Sequence, residues 1–227
     1  MCGRYTLTSP DELVQEFGLG ELPFSLKPRY NIAPSNEVPV VVADDDGPTL
    51  RLLRWGLVPS WVKLTRSTKR PINARAETVH EKPSFREAFE RRRCLVCADG
   101  FYEWKREGSR RMPFFMHRRD GRPLSFAGVW ERHVGDDGTS SDSFAMLTTS
   151  ANELMAPIHH RMPIVIARDA RARWLSSETQ TRSALEDLLV APPTEDYELF
   201  QVSETVNSVA NDSASCLRRG PDQQSLF

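Results

Sequence analysis

Residues 37–57 read EVPVVVADDDGPTLRLLRWGL, a valine-rich run, a turn and a second apolar run. β-Branched residues such as those at 37–43 are typical of β-strands. The Asp-Asp-Asp-Gly run at 44–47 is typical of a turn, and residues 49–57 have the composition of a returning strand. The pattern therefore predicts a β-hairpin.

Shorter strand-like and helical segments lie on both sides of this hairpin. The strand candidates are residues 113–117, 124–132, 143–149, 162–167 and 197–202. The helical candidates are residues 10–17, 84–93 (with Ser84 as N-cap), 169–176 and 182–190. No internal repeat and no Pro- or Gly/Ser-rich linker divides the chain. We therefore predict one α+β domain over residues 1–210, with a sheet-dominated, barrel-like core and flanking helices, and a flexible tail at 211–227.

The composition is that of an ordinary soluble protein. The 227 residues are 39% hydrophobic and 27% charged, with a net charge of −1. No apolar run approaches the roughly 20 residues of a membrane helix, and the polar N-terminus lacks the features of a signal peptide. We expect a cytoplasmic protein without membrane contact. The first 135 residues are net positive and the remainder net negative, which is compatible with a surface for an anionic ligand.

Four cysteines occur, and in a reducing compartment they should be free thiols. Cys94 and Cys97 have a spacing that zinc and redox sites use. No second ligand pair stands at a matching distance, and residues 94–98 are apolar and follow a predicted helix. We interpret them as a buried strand and expect neither a metal nor another cofactor.

Cys2 stands where removal of Met1 would leave an N-terminal cysteine. Its α-amine would titrate near about 7.7–8.0 and its thiol near about 8.5, so both have a reactive fraction at neutral pH. The two groups sit on adjacent carbons and together can close a five-membered ring on an aldehyde. The thiol alone can attack an acyl carbon.

Polar residues interrupt apolar strand patterns in four short stretches. They read MCGRY (1–5), PINARAET (71–78), DGFYEW (99–104) and IHHRMP (158–163). Each would place titratable or amide groups at a strand end, where active sites tend to gather. Singly, each is explained as well by an ion pair or a turn. Together they indicate one site.

These four stretches, in this order and at these separations, closely resemble the SRAP family (SOS response-associated peptidase domain; abasic-site processing proteins). The resemblance includes RYNIAP (29–34) and RWGLVP (54–59) and covers about residues 1–210. It implies the SRAP fold and a sensor of abasic sites in single-stranded DNA. It also implies that Cys2 forms a Schiff base and then a stable thiazolidine with the lesion, which shields it. Release of Met1 by self-cleavage and a lyase-type reversal of the crosslink are further implied activities.

The same resemblance suggests the catalytic residues. Glu103 matches the family's catalytic carboxylate, a role that needs a pKa raised by burial. Asn73 matches an asparagine that hydrogen-bonds at the reacting centre and helps to hold the N-terminus. His159 matches a histidine that contacts the deoxyribose oxygen and assists proton transfer. His160 stands where the family often has Asp, and we interpret it as a surface residue.

DNA contacts are implied for five residues. Arg4, Arg75 and Arg161 match positions that contact phosphates, and Trp55 and Trp61 lie in the segment that resembles a base-stacking wall. Stacking contributes ~1–3 kcal/mol per base and tolerates any sequence. Trp55 fits a core position equally well.

The chain ends QQSLF at residues 223–227. This resembles the bacterial sliding-clamp-binding pentapeptide, with Gln223, Leu226 and Phe227 as the contact residues. A frayed terminus is the alternative explanation. Nothing in the sequence indicates more than a monomer.

Two other functions stay open. Glutamine amidotransferases with an N-terminal nucleophile also begin Met-Cys-Gly, and there Cys2 would attack a side-chain amide. The downstream elements of that class are not found in the expected context. The second alternative is a non-catalytic single-strand-binding module in which Cys2 is incidental.

Overall fold

A computed structural model of the chain describes residues 2–19, 25–44, 47–176, 178 and 180–220. These residues form three α-helices: α1 (Glu12–Phe17), α2 (Arg86–Arg91) and α3 (Arg171–Leu175). They form twelve strands: β1 (Tyr5–Leu7), β2 (Arg29–Ile32), β3 (Glu37–Asp44), β4 (Gly47–Trp55), β5 (Asn73–Arg75), β6 (Arg93–Ala98), β7 (Gly100–Glu107), β8 (Arg110–Arg118), β9 (Leu124–Val134), β10 (Ser140–Ser150), β11 (Arg161–Pro163) and β12 (Tyr197–Gln201). The 3-10 helices are Arg168–Ala170, Ser183–Leu188, Glu204–Asn207 and Ala214–Leu217.

Five strands close into a barrel in the order β10, β4, β3, β6 and β9, because β9 pairs back onto β10. The predicted hairpin is β3 with β4, in antiparallel register from Glu37 opposite Arg54 to Asp44 opposite Gly47. Strand β6 is buried along its whole length and lies between β3 and β9. The α+β fold with a sheet-dominated, barrel-like core is therefore confirmed.

A second sheet of five strands is open and antiparallel, in the order β12, β8, β7, β1 and β2. A smaller apolar cluster lies against it, formed by Tyr102, Phe115, Phe200, Val202, Val206 and Cys216. The main core fills the barrel and extends under the first residues of the chain. The barrel and the open sheet are thus two halves of one molecule.

The chain passes from barrel to sheet with one residue, Asp99, between β6 and β7. Gly100, the next residue, allows the close approach that this junction needs. A Cβ atom at Gly100 would lie 2.4 Å from Cζ of Phe115 and 2.5 Å from the Met116 carbonyl oxygen, both on β8. Any larger residue would push β8 away from β7.

Two details of the helices differ from prediction. The prediction that Ser84 caps α2 is wrong, because the N-cap position is Phe85 and it makes no side-chain cap. The segment predicted as a helix over 182–190 is the 3-10 helix Ser183–Leu188.

The four cysteines are free and buried, as predicted, and Cys94 and Cys97 lie in β6. Among the described residues, no cluster of three or more His, Cys, Asp or Glu side chains could hold a metal ion. None of the helices in the described part of the chain is long and apolar enough to cross a membrane.

Residues 211–220 of the predicted tail are packed against the open sheet. The Asp212 carboxylate accepts hydrogen bonds from the backbone N–H groups of Tyr30 and Asn31, at 2.5 and 2.9 Å, and pairs with Arg29. Cys216 is fully buried. These contacts hold residues 211–220 in place, because the Asp212 carboxylate accepts hydrogen bonds from backbone N–H groups of β2. Residues 221–227, with the predicted clamp contacts Gln223, Leu226 and Phe227, lie outside the described residues, and the division at residue 210 stays a prediction.

Candidate active site

The four predicted catalytic residues come from both halves of the molecule. Cys2 precedes β1, and Glu103 lies in β7 of the open sheet. Asn73 begins β5 and His159 precedes β11, and both of these strands pair with the barrel strand β10. A cleft of about 690 Å³ opens where the halves meet, and Gly3, Glu103 and His159 line it.

Hydrogen bonds to the first residues of the chain hold Cys2 in this region. The side-chain Nδ2 of Asn73 donates to the Cys2 carbonyl oxygen at 2.8 Å. The Tyr102 backbone N–H donates to the Arg4 carbonyl at 3.0 Å, which continues the antiparallel pairing of β1 with β7. That pairing brings Gly3 opposite Glu103, so the cysteine and the carboxyl group become neighbours.

The Cys2 side chain is fully buried, and its Sγ lies 3.7 Å from the Arg4 carbonyl oxygen. Burial raises the pKa of this thiol, because a thiolate would lose its hydration. The nearby Glu103 carboxyl raises the pKa further by Coulomb repulsion. The sulfur is therefore held as a neutral S–H group.

Glu103 is only 3% exposed, and burial raises the pKa of its carboxyl group. Desolvation penalises the charged form, so the group keeps its proton to a higher pH than an exposed glutamate. A carboxyl group that keeps its proton in this way is suited to general acid–base catalysis. This direction of shift agrees with the requirement stated for Glu103 from the sequence.

His159 is oriented by the backbone of Arg161. Its Nδ1 accepts from the Arg161 backbone N–H at 3.0 Å, and the Arg161 carbonyl lies 3.1 Å from the same nitrogen. Burial lowers the pKa of His159, which favours the neutral ring. Nδ1 of His159 contacts both polar backbone groups of Arg161, and these contacts fix the orientation of the ring. The ring of His160 stacks on it with centroids 4.4 Å apart.

Asn73 offers a second polar atom. Its Oδ1 is buried and makes no hydrogen bond within the described residues. An amide that donates through Nδ2 to Cys2 while keeping a vacant acceptor can receive an N–H or O–H group at the reacting centre.

Three of the predicted DNA contacts lie at accessible positions. Arg75 is exposed in β5, and Trp61 is 65% exposed in the loop that follows β4. Arg4 lines the cleft, and its Nη1 donates to Asn31 Oδ1 at 2.8 Å and to the Val206 carbonyl at 2.9 Å.

The other two are buried. Trp55 is 1% exposed, packs parallel to Phe144 and donates through Nε1 to the Ile72 carbonyl at 2.9 Å. No face is left for a base, so the structure favours the core alternative for Trp55. Arg161 is also buried and forms a two-pronged ion pair with Glu77, at 2.5 and 2.9 Å. Trp55 is covered by Phe144 of β10, and Arg161 lies in β11, which pairs with β10. The residues next to each of them in the sequence do not reveal these contacts.

Two groups of basic residues lie near the site, and of the residues named next only Arg75 and Asn73 were predicted from the sequence. Arg106 and Arg111 line the cleft, together with Trp104 and Asn207. Separately, Lys69, Arg70, Arg75 and Lys82 line an adjoining groove of about 890 Å³ that also includes Asn73. These four groove residues are exposed and form no ion pair with a described residue. The alternation of Trp104 and Arg106 along one strand face was a signal that could have revealed the first group.

A barrel joined to an open sheet, with a buried cysteine, a carboxyl group and a histidine around the cleft between them, defines the class of protein. The family model described as SOS response associated peptidase (SRAP) matches residues 1–209. The chain belongs to the SRAP family, as the motifs in its sequence indicated.

Several similar proteins carry the name abasic site processing protein. YoaM of Bacillus subtilis (strain 168) is 38% identical over 221 residues, covering 96% of this chain and 97% of its own. YedK of Escherichia coli (strain K12) is 30% identical over 226 residues, covering 96% and 99%. HMCES of Gallus gallus is 33% identical over 226 residues, covering 84% of this chain and 66% of its own. A crystal structure of a Bacteroides thetaiotaomicron protein superposes with a TM-score of 0.88 at 25% identity, covering 97% and 100%.

Proposed function

We propose that this protein processes abasic sites in single-stranded DNA by forming a covalent thiazolidine through Cys2 once Met1 has been removed. The observation that carries this proposal is the meeting of Cys2 and Glu103 from the open sheet with Asn73 and His159 from the barrel side. The names of the similar proteins support abasic-site DNA as the substrate.

The chemistry uses both nucleophiles of an N-terminal cysteine. An abasic deoxyribose is in equilibrium with an open-chain aldehyde, and the α-amine of Cys2 adds to its C1′. Loss of water gives a Schiff base. The thiol then adds across the C=N bond, its proton passes to the nitrogen, and a five-membered ring closes. The atoms balance with water as the only by-product.

The burial of the thiol supports this order of events. Because its pKa is raised, the Cys2 sulfur stays protonated and is a poor nucleophile towards the free aldehyde. The amine reacts first, and the thiol adds only to the more electrophilic Schiff base beside it.

Glu103 and His159 are suited to moving the protons. Glu103, with its raised pKa, can give a proton to the departing hydroxyl group and take one back when the adduct reverses. His159, oriented at the cleft by the backbone of Arg161, can assist proton transfer at the deoxyribose ring oxygen as the sugar opens. The vacant Oδ1 of Asn73 can accept a hydrogen bond from the Cys2 amine.

The basic groove gives the DNA backbone a place to bind. Its four cations adjoin Asn73, and the exposed ring of Trp61 lies in the loop that leads to the groove. Phosphate contacts of this kind bind any sequence, and stacking on Trp61 is equally tolerant. Both properties suit a protein that must find lesions anywhere in single-stranded DNA.

The same groups would serve two related reactions. Self-cleavage of Met1 needs a nucleophile and a proton donor at residue 2, and Cys2 with Glu103 supplies both. Reversal of the crosslink, a lyase-type reaction, needs a proton returned to the adduct, which Glu103 can provide.

The test uses the Met1-processed protein, verified by intact mass, and a labelled single-stranded oligonucleotide with one abasic site. We expect a heat-stable shifted band whose mass equals protein plus DNA less one water. Cys2→Ala should abolish the band. Cys2→Ser keeps the amine and should give an adduct only after borohydride reduction of the Schiff base. Cys216→Ala removes another buried thiol and serves as the matched control, with unchanged crosslinking.

Crosslinking that persists in Cys2→Ala would refute the thiazolidine. Glutaminase activity without a band would instead favour the N-terminal-nucleophile amidohydrolase. Reversible DNA binding without any adduct would favour the non-catalytic binding module.

A further inference from the structure

One wall of the cleft is formed by Arg4, Trp104, Arg106 and Arg111, which we name the arginine wall. Arg106 and Arg111 stand opposite each other in the antiparallel pairing of β7 with β8. Arg4 is the residue directly before β1. Three guanidinium groups from three parts of the chain therefore face one recess.

Trp104 holds two of these guanidinium groups. The Cζ atom of Arg4 lies 5.8 Å from the Trp104 ring centroid, and that of Arg111 lies 5.5 Å from it. The indole Nε1 donates to Asn207 Oδ1 at 2.6 Å, which fixes the ring. Cations within about 6 Å of an indole face are attracted by its quadrupole. The ring thus positions two charges that would otherwise repel each other.

Among the described residues, none of the three arginines forms an ion pair with a carboxylate, although the buried Glu103 lines the same cleft. The hydrogen-bond acceptors of Arg4 are neutral, Asn31 Oδ1 and the Val206 carbonyl. Glu107, the nearest acid along β7, pairs with Lys105 at 2.7 Å. Arg106 and Arg111 are exposed and form no ion pair with a described residue. The three neighbouring positive charges repel one another when no anion is present, and an anion bound among them would be attracted by all three.

The wall and the basic groove belong to separate recesses. Ile72 lines the cleft and the next residue, Asn73, lines the groove, so the two recesses meet beside Cys2. A strand whose lesion lies at Cys2 can therefore reach cations in both.

We propose that the arginine wall is a second phosphate-binding site, in which Arg106 and Arg111 join Arg4 to hold the DNA backbone on the cleft side of the lesion. The site rests on the proposed function, since it takes the same DNA strand. It assigns binding roles to Arg106 and Arg111, and a positioning role to Trp104 and Asn207. The planar guanidinium group suits phosphate because it can donate two parallel hydrogen bonds.

The β7–β8 hairpin offers a charge-matched control. Lys105 and Arg110 are the neighbours of Arg106 and Arg111, but neither lines the cleft. Lys105 pairs with Glu107, and Arg110 borders a different recess, 4.0 Å from Glu204. The double variants Arg106→Ala/Arg111→Ala and Lys105→Ala/Arg110→Ala each remove two positive charges from the same hairpin.

The measurement is equilibrium binding to a labelled single-stranded oligonucleotide that carries a tetrahydrofuran abasic analogue, over a series of salt concentrations. This probe has no aldehyde, so binding is read without crosslinking. For single strands each phosphate contact contributes about 0.7 to the slope of log affinity against log salt. We expect Arg106→Ala/Arg111→Ala to lower the slope by about 1.4 and the affinity at low salt by at least about tenfold. The control pair should change both much less.

Equal losses in the two double variants would overturn the proposal in favour of general charge attraction. Unchanged binding in Arg106→Ala/Arg111→Ala would overturn it as well, while leaving DNA as the substrate. If the wild-type protein fails to bind any single-stranded probe, both the proposed function and the phosphate-binding role of the arginine wall are refuted. A thermal unfolding midpoint within the range of the control pair shows that the lost affinity is not a folding defect.

Discussion

The barrel and the open sheet differ in what their residues do. Strands β3, β6, β9 and β10 of the barrel are built around apolar side chains packed into one core. The open sheet has polar residues among its strands. It supplies Glu103 to the cleft, and the segment that leads into its strand β1 carries Arg4, which lines the cleft, and the buried Cys2. The barrel side contributes Asn73 and His159 only through two three-residue strands attached to β10.

The two halves even treat a buried carboxyl group differently. Glu131 in the barrel strand β9 is 4% exposed and pairs with Arg92 at 2.7 Å. Glu103 in β7 is as deeply buried but borders the cleft. Burial raises the pKa of both groups. The comparison indicates that the barrel provides stability, while the sheet accepts an energetic cost at a reactive site.

The largest expected effect tests the sheet. Glu103→Gln removes the proton carrier, and we expect crosslinking or its reversal to slow by about 10²–10⁴-fold, the usual contribution of general acid–base catalysis. Rates of band appearance and decay measure it. Glu131→Gln is the matched control and should leave both rates unchanged. Equal rates for wild type and Glu103→Gln would remove Glu103 from the mechanism.

The raised pKa values of both carboxyl groups also predict how the same two variants change stability. Since burial raises the pKa of Glu103, the folded protein holds this proton more tightly than the unfolded chain. Stability is then lost as the pH rises from the ordinary carboxyl range near about 4 through the raised pKa. Glu103→Gln cannot ionise, so it should raise the unfolding midpoint at pH 7 relative to wild type, with the gain vanishing near pH 4. Burial also raises the pKa of Glu131, so Glu131→Gln should raise the midpoint at pH 7 as well, by a smaller amount because it gives up the ion pair with Arg92.

A cavity in the barrel should give the next largest effect. Leu95→Ala, in the fully buried strand β6, should cost about 2–5 kcal/mol of unfolding free energy in a denaturant titration. Leu52→Ala is the control, since Leu52 lies in the same barrel at 43% exposure. Below the unfolding transition, the crosslinking rate of Leu95→Ala should equal that of wild type. A crosslinking rate that falls in proportion to the loss of stability would contradict the view that the barrel provides stability and the open sheet provides reactivity.

The smallest expected effect concerns residues 211–220, which pack against β2 of the open sheet. Asp212→Ala removes the acceptor of two backbone N–H groups on β2, and Asn31 on that strand holds Arg4. We expect a loss of about 1 kcal/mol in unfolding free energy and a severalfold weaker affinity for single-stranded DNA. Asp137→Ala removes a comparable local acceptor, which bonds only Thr139 in a distant turn, and should leave DNA affinity unchanged. Unaltered affinity in Asp212→Ala would separate the packed segment from the site.

The elements that could be predicted from sequence are those with strong local patterns. The hairpin of β3 and β4 and the strand at Cys94 and Cys97 have runs of apolar or β-branched residues long enough to show their period. Strands β1, β2 and β5 have three or four residues each and were not predicted, since so short a segment has no readable period. Their pairing depends on partners far away in the chain.

The residues proposed as catalytic follow from motif order and spacing, whereas the sequence does not show which of the proposed DNA-contact residues are exposed. Trp55 and Trp61 are six positions apart and look alike in sequence, yet one lies in the core and the other in solvent. Arg161 is buried against Glu77, while Arg111 faces the cleft. A residue type indicates what a side chain can do but not which way it faces.

The amino-acid sequence alone therefore determined the α+β barrel-like fold, the buried thiols, the family and the residues proposed to react with the lesion. Local composition and motif spacing encode these properties directly. Only the tertiary structure decided which arginines and tryptophans are exposed, that residues 211–220 pack against β2, and that two basic recesses meet beside Cys2. These properties depend on burial, and burial is set by contacts between segments that lie far apart in the chain.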